Sequence, residues 1–289
     1  METISTTIEY LLDDPRFKEE RPYAVHLLPG SKPTIPAGVL NTVQWVSIPT
    51  LIHDVRNHEP FSLSKNGFAT FSARFSPFKS EQPTYSEVIR YQTETEAFLK
   101  TTVQAEKVIC YDCRFRRNGP ALRVGDIIDV NDPLLFDLPP RGAHNITAEN
   151  GPQMIKKVLD AAGESKWLDR KYRYRIMNTW RPLVSKLDDR PLAFCDFQTV
   201  NKNDLVATDQ IYSTLRTDLY YLKHNERQKW YWWSYQTPDE VLVMMMYDTR
   251  ARPDEAKFCP HISFDNPKAA EDAPPRESVE TRSIIVTLS

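Results

Sequence analysis

Glycine is scarce in this chain. Only 8 of 289 residues are Gly, and neither a GxGxxG nor a GxxxxGK[ST] motif occurs. Phosphate-cradling loops built on glycine backbone are thereby excluded. Basic residues hold no excess, with 37 Lys and Arg against 39 Asp and Glu and a formal charge of −2. A broad basic face is therefore absent, and nucleic acid is not an expected partner. Four cysteines are too few for a disulfide framework in a chain this long. No apolar run approaches the roughly 20 residues that cross a bilayer. The opening residues 1–10 carry acids and no basic segment, unlike a secretory signal. The expectation is a cytoplasmic protein with reduced thiols and no membrane partner.

What is abundant is proline, at 22 residues, and aromatic side chains, with 6 Trp, 13 Tyr and 13 Phe. Prolines stiffen connections, and aromatics suit a lined pocket. No linker divides the chain, so one domain is expected over 1–289. It reads as an N-terminal arm (1–40), a helix-containing part (41–170) and a strand-rich part (171–289). The arm reads as extended, with one short helix near Ile8–Leu12. Apolar residues at 3–4 spacing predict a helix from Tyr85 to Thr102 (Val88, Ile89, Tyr91, Ala97, Phe98, Leu99) and another over Pro152–Ala162. β-Branched and aromatic runs predict strands at 41–56 and 106–115. Six more are expected at 173–180, 191–199, 219–223, 229–235, 241–247 and 281–288. Turn residues at short intervals make the second half a barrel or sandwich. A zinc site could be drawn from Cys110, Cys113, Cys259 and His261, but a single CxxC is weak support. There is no GxSxG, and no His stands in a nucleophile context.

Several segments together carry a resemblance. They are Asp54-Val55-Arg56, Asn66-Gly67-Phe68, Cys110-Tyr111-Asp112, Arg116-Arg117 and Asn178-Thr179-Trp180-Arg181-Pro182-Leu183. Further along come Pro191-Leu192-Ala193-Phe194-Cys195-Asp196, Thr237-Pro238-Asp239-Glu240-Val241, Tyr247-Asp248-Thr249, Pro260-His261-Ile262-Ser263-Phe264, and the run from Pro275 to Arg282. In order and spacing, from about residue 40 to the end, they resemble the AsaB-type hydroxylase/desaturase family of fungal secondary metabolism. That family includes a gibberellin desaturase and is related to CmcJ. The resemblance implies a mainly β fold with flanking helices (α+β), a double-stranded β-helix or cupin-like jelly roll. It also implies non-haem Fe(II) with 2-oxoglutarate and O2, the iron being held by two His and one carboxylate.

The sequence departs from the family where the first ligands, an HxD pair, belong. His144-Asn145-Ile146 puts isoleucine at the acid's position. Sliding by two puts Ile146 on the His and Ala148 on the Asp. Glu149 lies five residues from His144, an odd offset that points to the opposite face of a strand. The distal ligand corresponds to His261. The resemblance thus offers His144 and His261 as catalytic or metal-binding residues, without a carboxylate. Arg276 and Arg282 are candidates for a cosubstrate carboxylate, since a guanidinium fork matches it bidentately; Arg282 pairing with Glu277 or Glu280 is the structural alternative. Trp180, Arg181, Trp232 and Met245 are candidate pocket residues; core packing is the alternative for Trp180, Trp232 and Met245, and Arg181 is read as anchoring a nearby carboxylate such as Asp196.

With the acid missing, the sequence favours a tailoring enzyme that acts on a hydrophobic small molecule by redox-neutral cyclisation or isomerisation, with no cofactor. The first alternative is an Fe(II)/2-oxoglutarate oxidoreductase that uses His144, His261 and Glu149. The second is a non-catalytic binding or partner subunit. The aromatic content also suits a homodimer.

Overall fold

The computed structural model describes residues 3–26, 41–56, 58–79, 82–119, 133–134, 136–137, 142–146, 150–212 and 216–289. Along the chain run β1 (Thr3–Leu11), β2 (Tyr23–Val25), β3 (Trp45–Asp54), β4 (Phe68–Ser72), helix α1 (Tyr85–Thr102), β5 (Lys107–Arg117), β6 (Phe136–Asp137) and β7 (His144–Ile146). Helix α2 (Asn150–Ala161) follows, then β8 (Tyr172–Pro182), β9 (Leu192–Cys195), β10 (Leu205–Ile211), β11 (Arg216–Leu222), β12 (Trp230–Trp232), β13 (Glu240–Asp248), β14 (His261–Ser263) and β15 (Glu277–Leu288).

The strands form two sheets. One is ordered β1-β3-β12-β9-β14-β7-β11-β10-β2, and the other β4-β13-β8-β15-β5-β6. Both are mainly antiparallel. Their facing sides share one apolar core, in which Phe194 and Tyr231 of the first sheet pack with Ile176, Trp180, Met244 and Ile284 of the second. This is the jelly-roll arrangement that the sequence resemblance implied. Helix α2 closes part of the same core through Ile155 and Leu159.

Helix α1 covers the other side of the second sheet. Thr84 and Glu87 form a reciprocal capping box at its start. Val88 and Tyr91 pack on Cys113, Phe115 and Val279, and Leu99 packs on Met177, Val243 and Ile285. The parity of the strand residues is therefore fixed. On β15, Val279 and Ile285 face the helix while Ile284 and Val286 face the first sheet.

The segment 8–12 is not a helix. It belongs to β1, which pairs antiparallel with β3 along nine residues. Ile4, Ile8 and Tyr10 are buried at even positions, a period of two that packs against Trp230 and Trp232. Strands β1, β2, β4, β6, β7, β10 and β14 lie outside the predicted runs. The cysteines do not gather into a zinc site: all four are free and buried, and among the described residues no three His, Cys, Asp or Glu side chains could hold a metal. No helix among the described residues is long and apolar enough to cross a membrane.

Candidate active site

The two histidines singled out from the sequence meet. His261 on β14 pairs directly with His144 on β7, so strand register makes them cross-strand neighbours. Their ring centroids are 4.7 Å apart, tilted by 52°. Each ring is oriented in the same way. His144 Nδ1 lies 3.0 Å from the Gly142 carbonyl oxygen, and His261 Nδ1 lies 3.0 Å from that of Cys259. A carbonyl only accepts, so each Nδ1 carries the proton and donates. Each Nε2 is then left as an unprotonated lone pair, the tautomer that binds metals or takes up protons. Gly142 is suited to this role because its φ of +81° lies in the left-handed region. A side chain there would also collide with the Trp45 ring.

Burial sets the charge of the pair. Desolvation, with repulsion from His261, lowers the His144 pKa to about 3, and desolvation likewise lowers that of His261. Both rings are neutral at pH 7. A stability consequence follows for the metal-free protein. The unfolded chain takes up a proton at His144 below about 6.5, whereas the folded chain does so only near 3. Stability therefore rises with pH across that window and is fully present above it. Between pH 7 and pH 5, His144 alone is expected to cost about 2 kcal/mol. Urea unfolding at the two pH values should show a smaller loss for His144→Gln than for wild type, by about that amount.

Opposite the histidines, β15 presents Ser278, Glu280 and Arg282 at alternate positions. Glu280 is buried, and its Oε1 accepts from Asn178 Nδ2 at 3.0 Å and from Arg282 Nε at 3.4 Å. Arg116 Nε approaches Oε2 at 4.0 Å. Burial alone would raise the pKa of this carboxyl, but Arg282, Arg116 and the two histidines act against it and hold it at about 2. Glu280 is thus an anion tied into an arginine cluster. Arg282 pairs with Glu280, as its structural alternative had it, and with Asp112 at 3.6 Å.

Arg276 is the most unusual group here. It is 1% exposed. Its Nε donates to Ser278 Oγ at 3.1 Å and its Nη1 to the Arg190 carbonyl oxygen at 3.0 Å. It lies over the Trp180 ring at 5.3 Å. Among the described residues no carboxylate comes within ion-pair distance of its guanidinium, and burial pushes its pKa down to about 9. The Trp180 indole N–H is also buried without an acceptor. A buried cation without a counter-charge among the described residues and a buried donor without an acceptor form a place where a carboxylate would be stabilised.

Other sequence candidates lie elsewhere, and parity is the reason. Trp180 faces the first sheet, so Arg181 faces α1, donating to the Tyr91 hydroxyl at 3.0 Å and to the Pro238 carbonyl oxygen at 3.2 Å. Met245 lies under α1 with Val241 and Val243, while Met244 and Met246 occupy the inter-sheet core. Trp232 packs on Phe264 in the cluster around β1, and Tyr231 takes the inter-sheet side. Glu149 and Ala148 lie outside the described residues. Ile146 is placed by its backbone, paired with Leu219. The sequence reading missed Asn178 and Tyr111, and it weighed Glu280 only as an ion-pair partner. The alternation Arg276, Ser278, Glu280, Arg282 was the available signal for one polar face. A surface cavity of about 620 Å³ bounded by Asp13, Phe17, Arg21, Lys202 and Lys223 contains none of these groups.

The chain matches the oxidoreductase/YMDC permease-like domain family (YDMC) over residues 9–286. It is 31% identical to the hydroxylase/desaturase efuI of Hormonema carpetanum, covering 82% of this chain and 83% of that protein. It is 27% identical to the Fe(II)/2-oxoglutarate-dependent dioxygenase nvfI of Aspergillus novofumigatus, covering 96% and 94%. Among solved structures, a variant of the iron and alpha-ketoglutarate-dependent endoperoxidase NvfI superposes with a TM-score of 0.83 at 24% identity, covering 100% of this chain and 99% of that one. That likeness shows the fold. The relatives are fungal tailoring oxygenases of the hydroxylase/desaturase kind.

Proposed function

We propose, for a chain that belongs to the oxidoreductase/YMDC permease-like family and to its AsaB-like hydroxylase/desaturases of fungal secondary metabolism, that it is an Fe(II)/2-oxoglutarate-dependent oxidoreductase tailoring a hydrophobic metabolite. The observation that carries this reading is the paired histidines, both neutral and both held by a backbone carbonyl in the tautomer that presents Nε2. The relatives favour this route over the cofactor-free cyclisation that the missing acid suggested.

The residues present fit part of the group. His144 and His261 would hold the metal, and imidazole suits iron. A third protein ligand is not found among the described residues. Arg276, Ser278 and the Trp180 N–H fit the carboxylate of 2-oxoglutarate. When bound, Fe(II) with this cosubstrate would supply the reduction of O2 that drives oxidation of a substrate C–H bond.

The chain's own contributions are positional. The carbonyls of Gly142 and Cys259 fix the two rings. Arg276 anchors the cosubstrate at one end. The apolar lining of Phe194, Trp180 and Met246 keeps water away from the reacting face.

Anaerobic titration with Fe(II) and 2-oxoglutarate tests this. One iron per chain and a visible charge-transfer band on adding 2-oxoglutarate are expected. Absence of both overturns the reading. It would leave the redox-neutral isomerase, which Ile146 at the acid's position favours.

A further inference from the structure

The pairing of β5 with β15 sets Asp112 opposite Arg282, Arg114 opposite Glu280 and Arg116 opposite Ser278. Together with Arg276, this face brings four guanidinium groups near Asp112 and Glu280, the two carboxylates it holds among the described residues. Asp112 binds Arg114 at 2.9 Å. Arg282 reaches its two acids only at 3.4 and 3.6 Å, longer than the 2.7–2.9 Å usual for a charged hydrogen bond. Neither contact is bidentate. Its side chain is 33% exposed although it faces the opposite sheet, so solvent reaches it there.

One residue beside it is placed by an irregularity. The β5–β15 register shifts between Arg282 and Ser283, which pair with Asp112 and Cys110, leaving Tyr111 as the extra residue of a bulge. Bulges re-aim side chains, and they recur beside active sites. The Tyr111 hydroxyl donates to Met154 Sδ at 3.1 Å. A thioether is a poor acceptor. The phenol is desolvated, with Arg282 the first charge acting on it. The surroundings of Tyr111 are otherwise apolar, with Ile109, Met154 and Val158 in the same cluster.

We propose that Arg282 and Tyr111 form the substrate-recognition site, and that the substrate is an amphipathic acid whose carboxylate or enolate they hold while its apolar body lies along Ile109, Met154 and Val158. Arg282 meets Asp112 and Glu280 through one contact each and keeps further N–H groups for a substrate oxygen. The Tyr111 hydroxyl turns from sulfur to oxygen, a better acceptor. The site differs from the Arg276 carboxylate site, whose buried cation has no partner acid among the described residues. The assignment rests on the inter-sheet face being the active site, but it does not need iron.

Calorimetry with a matched pair of probes tests it, 1-naphthaleneacetate against its neutral amide, on full-length protein. Wild type is expected to bind the acid at least tenfold tighter than the amide. Arg282→Gln should abolish that preference. Tyr111→Phe, which removes one oxygen and is unlike a folding lesion, should reduce it several-fold. 2-Oxoglutarate binding, measured separately, should survive in Tyr111→Phe. Equal affinity for acid and amide, no binding of either, or a preference untouched in both variants overturns the proposal. Absence of 2-oxoglutarate binding by the wild type would count against the oxygenase reading and leave the acid preference standing.

Discussion

His261→Ala is expected to weaken Fe(II) binding by more than about 100-fold, beyond the 10–100-fold that outer-sphere partners of a metal carry. His144→Ala should do the same. The reason lies in the small number of ligands. The described residues offer two neutral imidazoles and no third side chain grouped with them to hold a metal, so each ring is half of that set. The opposite change should have the opposite effect. Ile146→Asp places a carboxylate two residues after His144, restoring the HxD pattern, and should tighten Fe(II) at least tenfold. Equilibrium dialysis under nitrogen, or the visible spectrum of Co(II), reads both effects without turnover. Unchanged affinity in both histidine variants would remove the metal centre from this pair. Far-UV circular dichroism checks that the variants fold. His144→Ala leaves the Gly142 carbonyl without its ring donor, a loss of about 1 kcal/mol, and also removes the ring packed on His261.

Much of the fold was legible because strand and helix leave different periods. The 18 residues of α1 stand where apolar spacing put them, and the capping pair Thr84–Glu87 marks their start. β1 was misread because Ile4, Ile8 and Leu12 are four apart, which suits a helix as well as a strand. Pairing with β3 decides it. The site was legible in its residue types and less so in its faces. A strand residue's face is a matter of odd or even position, and one bulge inverts it. Arg181 and Met245 went to the helix side for this reason, each one position from a residue that does face the first sheet. Tyr111 was unreadable for the converse reason: a bulge is a property of two paired strands, and no single run of residues announces it. The two histidines could be picked out because the resemblance fixed them individually, without needing parity, and the β7–β14 register brings them side by side.

Arg276→Met is expected to lose 2-oxoglutarate binding by about 100-fold or more while leaving the ligand-free protein as stable as wild type or more so. The two halves of this expectation share one cause. A guanidinium at 1% exposure, without a carboxylate, is a cost to the empty fold. Its bonds to Ser278 and to the Arg190 carbonyl offset that cost only in part. The depressed pKa, about 9, has the same origin in burial. Methionine fills a similar volume without charge, so the empty fold is relieved. The arriving carboxylate then meets no cation, and the loss falls wholly on binding. Arg276→Lys separates charge from shape: an ammonium keeps the attraction but not the planar fork or its stacking on Trp180, and should lose about tenfold. Thermal unfolding without ligand, set beside calorimetric titration of 2-oxoglutarate, reads both halves. A variant that melts several degrees lower and still binds would mean that Arg276 is a structural brace between β15 and the turn at Arg190, and that the cosubstrate carboxylate lies elsewhere.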